Sequence, residues 1–417
     1  MSAEKMANPL KVLIVGAGIG GLAAAIALRQ AGHLVQLFES SRFAAEVGAA
    51  IHLQPNVVAL LRRFGMRPEE HGANMAEWVS VFTSQGDAIS QRSIANLESK
   101  YTYPWQLIHR VDLHEALKSL ALDEKESGKP VSLYLRSKVV SCNPSGPSIT
   151  LEDGRTFEGD LLIGADGVHS ILRSTISGED IPIAPSGGSA FRFLVSVQKV
   201  KEDPITAHFV EKPGDFQVWE GKHRRLVIYP CSRNNTELNF VCLHPDTESQ
   251  DSVEGWNNTA SVEHLVKVFS EFYEPMRELL SKADADTLKL WRLYDRGALG
   301  TWVNGFAALL GDAAHPFLPH QGQGGAQAIE DGAALGALLP LGVTKDEIPG
   351  RLKLYMEARY DRATLVQNFS RQMAFQTSDK DKVGGFSPNP MEFAEINFRH
   401  DAFLHAKEIL QNHQKGN

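Results

Sequence analysis

Two stretches at opposite ends of the chain hold residues whose types and spacing suit the binding of a flat, phosphorylated coenzyme. The first, Gly16-Ala17-Gly18-Ile19-Gly20-Gly21, directly follows the short strand-like run Lys11 to Val15 and opens a helix predicted over Leu22 to Ala31. In that setting Gly16 makes the tight turn, Gly18 lets a pyrophosphate reach the backbone, and Gly21 lets helix pack closely on strand. The helix N-terminus adds free amides and partial positive charge, which is how an acidic chain can hold a phosphate. The second stretch follows the apolar run Phe306 to Leu310, reads as a buried strand, and crosses a Pro/Gly-rich loop into an alanine-rich helix ending near Leu339. Asp312 at that strand end can accept hydrogen bonds from sugar-like hydroxyls. Gly322, Gly324 and Gly325 let backbone amides approach a ring or phosphate with no side chain between.

The elements around these residues follow from local patterns. Gly32 closes the first helix, and the strand His33 to Phe38 delivers Glu39, about 20 residues beyond the glycines. A carboxylate there bonds both ribose hydroxyls of an adenosine and repels a 2′-phosphate, so the resident dinucleotide is FAD or NAD and not NADP. Glu46 to Asn56 is a small-residue loop suited to lie against a ligand, leading into a helix predicted over Val57 to Phe64. His52 within it reads as a packed loop histidine. Asp112 and Glu115 form a capping-box pattern for a helix over Leu113 to Asp123. Arg110, just before, reaches a phosphate or ribityl chain, or else forms a surface salt bridge. Alternating strands run from Val131 with a hairpin at Asp153-Gly154, and Asp160 to Gly164 is a further buried strand ending in Asp166-Gly167.

The middle of the chain alternates over Gly188–Val197, Ile205–Val210, Phe216–Glu220, Arg225–Tyr229 and Glu237–Leu243, which predicts a mixed or antiparallel sheet. Ala190, Arg192 and Leu194 share one face and Phe191, Phe193 and Val195 the other. Arg192 is thus an isolated cation on a strand face, and Tyr229 shares a face with Arg225 and Val227. An amphipathic helix is predicted over Ser261–Lys282, a long helix over Arg351–Phe375, a linker over Ser378–Pro390 and a last helix over Met391–Gln411.

Composition excludes several classes. The 42 basic against 50 acidic residues give a net charge of −8, and no basic patch points to nucleic acid. No apolar run approaches the roughly 18 residues of a membrane span. Cys142, Cys231 and Cys242 are widely spaced without a CxxC pair, which fits buried thiols in a reducing cytoplasm. Neither histidines nor carboxylates cluster at metal-ligand spacing, so no metal is expected.

Taken together, the three glycine-marked strand ends resemble those of the group A flavoprotein aromatic hydroxylases, the para-hydroxybenzoate and salicylate hydroxylase family, and most closely its salicylate-hydroxylase-like branch. The resemblance spans nearly the whole chain. It rests on Gly16 to Gly21 with Glu39, on Asp166-Gly167 in GADGVHSILR, and on Gly311-Asp312 in GDAAHPFLPHQGQGGAQAIED, with support from EVGAAIHLQPN, IHRVDLH and LYDRGALGTW.

The resemblance implies an α/β fold with a Rossmann-like FAD-binding domain of the para-hydroxybenzoate hydroxylase type, a mixed or antiparallel substrate-domain sheet, and C-terminal helices. The corresponding division is 1–75, 101–180 and 285–345 for the FAD domain, 76–100 and 181–284 for the substrate domain, and 346–417 for the helical region. It implies resident FAD, with the Glu39 position on the adenosine ribose, Ala50 and Arg110 contacting FAD, Asp312 on the ribityl chain and Gly325 near the isoalloxazine. Asp166-Gly167 would serve FAD and NAD(P)H together. Ser40-Ser41 departs from the family's usual Arg or Gln, which touches only adenosine contacts.

The implied activity is an NAD(P)H- and O₂-dependent monooxygenase hydroxylating a phenolic or salicylate-like ring through a flavin C4a-hydroperoxide. With no second GxGxxG domain, NAD(P)H would dock transiently. Arg192 and Tyr229 would anchor the substrate and stabilise its ionised oxygen, Arg192 being otherwise a surface salt bridge and Tyr229 a hydrogen-bonded core tyrosine. His315 and Pro316 would shape and shield the reacting site, His315 being otherwise structural. Epoxidation or oxidative decarboxylation on the same cofactor is a second reading, and a GDI-like binding module on the same scaffold a non-enzyme one. The assembly expected is a monomer or homodimer without nucleic-acid partners.

Overall fold

The computed structural model describes residues 8–42, 50–248, 258–374 and 390–416. The Glu46–Ala49 part of the small-residue loop and nearly all of the predicted Ser378–Pro390 linker lie outside these. The chain adopts the expected α/β architecture. The strand Lys11–Val15 is buried from Val12 onward because both its faces are covered, as its unbroken apolar text demands. It sits inside a six-stranded sheet ordered Val303–Asn304, Ala307–Leu309, Leu161–Gly164, Lys11–Val15, Leu34–Phe38, Ser132–Tyr134. All neighbours are parallel except the first pair. The three glycine-marked strand ends therefore emerge side by side at one edge.

Two helices follow from those ends, Ile19–Gln30 and Gly324–Leu338, and they cross in backbone contact. A Cβ added at Gly20 would lie 3.0 Å from Ala328 Cβ, one at Gly332 2.6 Å from Ala24 N, and one at Gly336 2.8 Å from Ala27 Cβ. These contacts advance in step along both helices. The helices thus run parallel, with their N-termini at the same end. Buried Arg29 then locks the first helix to the C-terminal end of the helix Arg110–Leu122 and the turn after it, donating to the carbonyls of Leu120, Ala121, Asp123, Glu126 and Gly128.

The second large sheet has eight strands, ordered Asn258–Thr259, Lys289–Asp295, Ala184–Ser196, Glu237–Pro245, Arg224–Cys231, Asp215–Gly221, Trp78–Thr83, Ala88–Ser93. It is antiparallel except where Asp215–Gly221 meets Trp78–Thr83. Phe191, Phe193 and Val195 pack with Leu226, Ile228 and the helices Val262–Val268 and Glu274–Ser281 on the outer face. Leu194, Val227 and Tyr229 pack on the inner face with Ala50 and Leu107. A small sheet of Ala50–Leu53, Gln106–His109 and Asn74–Met75 joins the two large ones. No helix among the described residues is long and apolar enough to cross a membrane.

Several expectations change. Lys289–Asp295, placed with the FAD unit by the boundary at 285, pairs instead with Ala184–Ser196 in the eight-stranded sheet. Residues 207–210 form a 3₁₀ turn and not a strand, because the carbonyl of Asp203 accepts from Thr206 and Ala207 and Thr206 Oγ1 donates to Val200. The helix expected at Leu113 begins at Arg110, since His109 leaves its strand extended and accepts from Val111 N, acting as cap in place of Asp112. The Ser261–Lys282 helix is two, restarted by Pro275 in a first turn. The final helix is also two, Pro390–Phe398 and Ala402–Gly416, with Asp401 Oδ1 accepting from Leu404 N at the restart.

The close helix contact generates a test. Gly332→Val has no room beside Ala23 and Ala24, and it should lower stability in urea denaturation by about 1–3 kcal/mol, the cost of overpacking a tight interface. An unchanged midpoint would show that the two helices can separate freely.

Candidate active site

At the first strand end, packing dictates two of the three glycines. Gly16 has φ +101° and a Cβ there would lie 2.3 Å from Ala165 O, while one on Gly21 would lie 1.9 Å from Gly16 O. Gly18 is different: no atom lies within 4 Å of its Cβ position. Its glycine leaves open space on the side where the helix amides Ile19 onward lack a side-chain cap. Glu39 stands at the end of the neighbouring strand, its Oε2 accepting from Ala17 N at 3.0 Å and Oε1 from Ser41 N at 2.7 Å.

At the third strand end, Asp312 follows Gly311, which has φ +59°. Asp312 is solvent-accessible although many protein atoms surround it, as in a group that lines a cleft. Burial pushes its carboxyl up, against the pull of His315, Arg110 and Arg173. Arg173, which sequence reasoning left without a role, ties two motifs together. Its Nε donates to Ala313 O at 2.7 Å, and its Nη2 to Asp312 O at 2.9 Å, Val168 O at 3.0 Å and Gly167 O at 3.2 Å. Asp166 caps the intervening loop through Oδ2, accepting from Ile171 N and Leu172 N, while its Oδ1 is buried without a partner.

The strand Ala50–Leu53 runs between the glycine loop and the inner sheet face. A Cβ on Gly325 would lie 2.6 Å from Ile51 Cδ1, and one on Gly322 1.8 Å from His52 Nε2. Ala50 N donates to Asn239 Oδ1 at 3.0 Å, and Ala50 O accepts from Tyr229 Oη at 3.0 Å. The predicted substrate tyrosine is thus committed to backbone, and burial holds its hydroxyl well above its ordinary pKa and neutral. His315 and Pro316 are likewise engaged from behind. His315 is 3 % exposed with Nε2 2.7 Å from Asp331 Oδ2, and Pro316 O accepts from Gln367 Nε2 at 2.7 Å. The other ring nitrogen of His315, Nδ1, is buried and has no partner.

Arg192 lies on the inner sheet face and is half-buried; its guanidinium sits 5.3 Å from the Trp291 ring centre, and no carboxylate among the described residues pairs with it. Burial lowers its pKa, with Tyr229 opposing and Arg110 adding to the shift, so Arg192, Tyr229 and Arg110 are neighbours. His52 completes this chamber. Its ring packs 5.5 Å from Trp105, 5.3 Å from Phe216 and 6.2 Å from Tyr229, and its buried Nδ1 has no partner. Sequence reasoning left it as packing; its only signal was a titratable ring in a small-residue segment. Among the described residues no group of histidines, cysteines and carboxylates could hold a metal.

A dinucleotide fits these residues. Gly18 offers open backbone with uncapped amides, Asp312 offers a carboxylate to a cavity, and Glu39 sits where a ribose would be held.

Three buried histidines give a pH test. Burial pushes His52 down to about 4, and His320 and His400 down to about 3. All three stay neutral in the fold, whereas the unfolded chain protonates them near pH 6.5. Their stabilising contribution is complete above pH 6.5 and is lost as pH falls toward 4, because the unfolded state then binds more protons. His52→Gln should flatten the fall in thermal midpoint, by on the order of 1–2 kcal/mol at pH 5. An identical midpoint-against-pH slope in the variant would contradict this account.

Comparison with known proteins agrees with the geometry. The family model described as "FAD binding domain" matches residues 9–370. The chain is 37% identical over 371 residues to hispidin-3-hydroxylase of Neonothopanus nambi, covering 86% of this chain and 87% of that protein. It is 31% identical over 383 residues to 6-hydroxynicotinate 3-monooxygenase of Pseudomonas fluorescens, covering 90% and 94%. A salicylate hydroxylase substrate complex shares the fold with a TM-score of 0.76 at 24% identity, over 96% of this chain and 98% of that one. With a match that extends from the first glycine turn through the helix behind the third, the chain belongs to the FAD binding domain family and is a flavoprotein monooxygenase.

Proposed function

We propose that this protein hydroxylates a phenolic or salicylate-like aromatic ring, using NAD(P)H and O₂. The observation that carries the proposal is Arg192, a half-buried cation on the inner sheet face with no carboxylate partner among the described residues. A half-buried guanidinium backed by an indole ring and without a carboxylate partner keeps its donors open, and a substrate phenolate or carboxylate would take two of them bidentately.

The neighbouring groups fit the same ligand. Trp105, Phe216 and Tyr229 supply aromatic walls, and the neutral ring of His52 packs among them. Deprotonating a phenol raises the electron density of its ring, and a nearby cation lowers the pKa at which that happens. Arg192 thus binds and activates, while Tyr229 positions the Ala50 strand through its hydroxyl. Bound FAD supplies the electron exchange between NAD(P)H and O₂, with one oxygen atom going to the ring and the other to water. His315 and Pro316 hold the loop that keeps water from the reacting face. The described residues contain one parallel nucleotide-type sheet, which supports transient docking of NAD(P)H.

The purified protein should be yellow, and NAD(P)H consumption should rise with one or more members of a phenol and salicylate panel. Product mass distinguishes hydroxylation, a gain of one oxygen, from decarboxylating hydroxylation, which also loses CO₂. Arg192→Ala should retain flavin absorbance but lower coupled turnover on the order of 10²-fold. Full turnover in that variant would remove Arg192 from the mechanism.

A further inference from the structure

Behind the Gly311-Asp312 turn lies a set of charged side chains without access to solvent. Glu330, Asp331 and Arg359 are fully buried, and Arg362 is nearly so. Charges this deep persist only where each polar atom is matched. Arg359, on the helix Ile348–Met373, donates from Nε to Asp331 Oδ1 at 2.8 Å, from Nη1 to Glu330 Oε2 at 2.6 Å and from Nη2 to Gln327 Oε1 at 2.7 Å.

Each acid then reaches a different cofactor-facing segment. Asp331 Oδ2 accepts from Gly311 N at 2.8 Å and from His315 Nε2 at 2.7 Å, gripping both ends of the turn that carries Asp312. Glu330 Oε1 accepts from Asn56 Nδ2 at 2.8 Å, in the helix that directly follows the Ala50–Leu53 strand. Arg362 closes the array with two bonds to Glu330, at 2.7 Å each. Burial alone would raise both carboxyls, yet Arg359 with Arg362 on Glu330, and His315 with Arg359 on Asp331, hold each below its ordinary range. The array is ionised, balanced and rigid.

We infer that Arg359 is a positioning residue for the flavin site. Without touching the cofactor, it fixes the Asp312 turn and the Ala50–Asn56 segment relative to one another, so that one guanidinium sets the width of the cavity between them. The inference rests on FAD occupying that cavity. A lysine at 359 keeps the charge but lacks the planar fork that serves both acids at once.

The test uses the intact holoenzyme, Arg359→Lys and Asp331→Asn. Each variant should fold, by far-ultraviolet circular dichroism, and each should bind FAD about tenfold or more weakly when deflavinated protein is titrated by fluorescence. Amide exchange should quicken together over residues 309–318 and 50–56, and stay unchanged in Glu237–Pro245 on the far sheet. The peroxide released per NAD(P)H consumed should also rise. FAD affinity within twofold of wild type would overturn the inference, as would a uniform loss of protection across the fold in both variants. A wild-type protein that binds no FAD would instead overturn the cofactor assignment beneath it, and the inference with it.

Discussion

The structure depends on two helices touching through their backbones. Ile19–Gln30 presents alanines and Gly324–Leu338 presents Gly332 and Gly336, and each missing Cβ lets the axes approach. Parallel contact at that distance puts two helix N-termini, each opened by glycine, at the same end of the molecule. Two partial positive charges then face one cavity, and an acidic protein gains a site for a dianionic coenzyme without a basic surface.

What lies behind that contact is electrostatic. The side chains of the long helix Ile348–Met373 hold the segments around the Gly311-Asp312 turn: Arg359 through Glu330 and Asp331, Gln367 through Pro316 O, and Ser370 through Leu318 O. Buried ion pairs of this kind add little net stability compared with an apolar core. Their effect here is geometric, since each bond fixes a direction that a methyl group would leave loose. Arg29 acts similarly at the other end of the first helix, replacing hydration with five carbonyl dipoles.

Much of this was legible in the sequence because local chemistry leaves few alternatives. Gly16 and Gly21 mark their turn because any other residue would collide with Ala165 O or Gly16 O, and the alternation in Ala184–Ser196 placed Arg192 and the phenylalanines on opposite faces correctly. The failures share a different cause. Residues 205–210 have the text of a strand, but an Asp203 turn claims the backbone first. Asp401 and Pro275 restart helices inside amphipathic patterns that read as continuous. Arg173 and Arg359 were missed because their partners lie far away along the chain, such as Arg359 with Gln327 or Arg173 with Ala313. The signal that was available is the adjacent pair Glu330-Asp331 in an otherwise alanine-rich helix, where two acids imply buried cations.

The order of strands in the six-stranded sheet also governs biosynthesis. Ala307–Leu309 pairs with Leu161–Gly164, which pairs with Lys11–Val15, so the coenzyme cleft is closed by a segment made long after its first glycine turn. Trp78–Thr83 likewise waits for Asp215–Gly221 as its parallel neighbour. A nascent chain on the ribosome therefore carries an open, half-built cleft until Ala307–Leu309 and the helix Gly324–Leu338 have emerged, and coenzyme capture follows their synthesis.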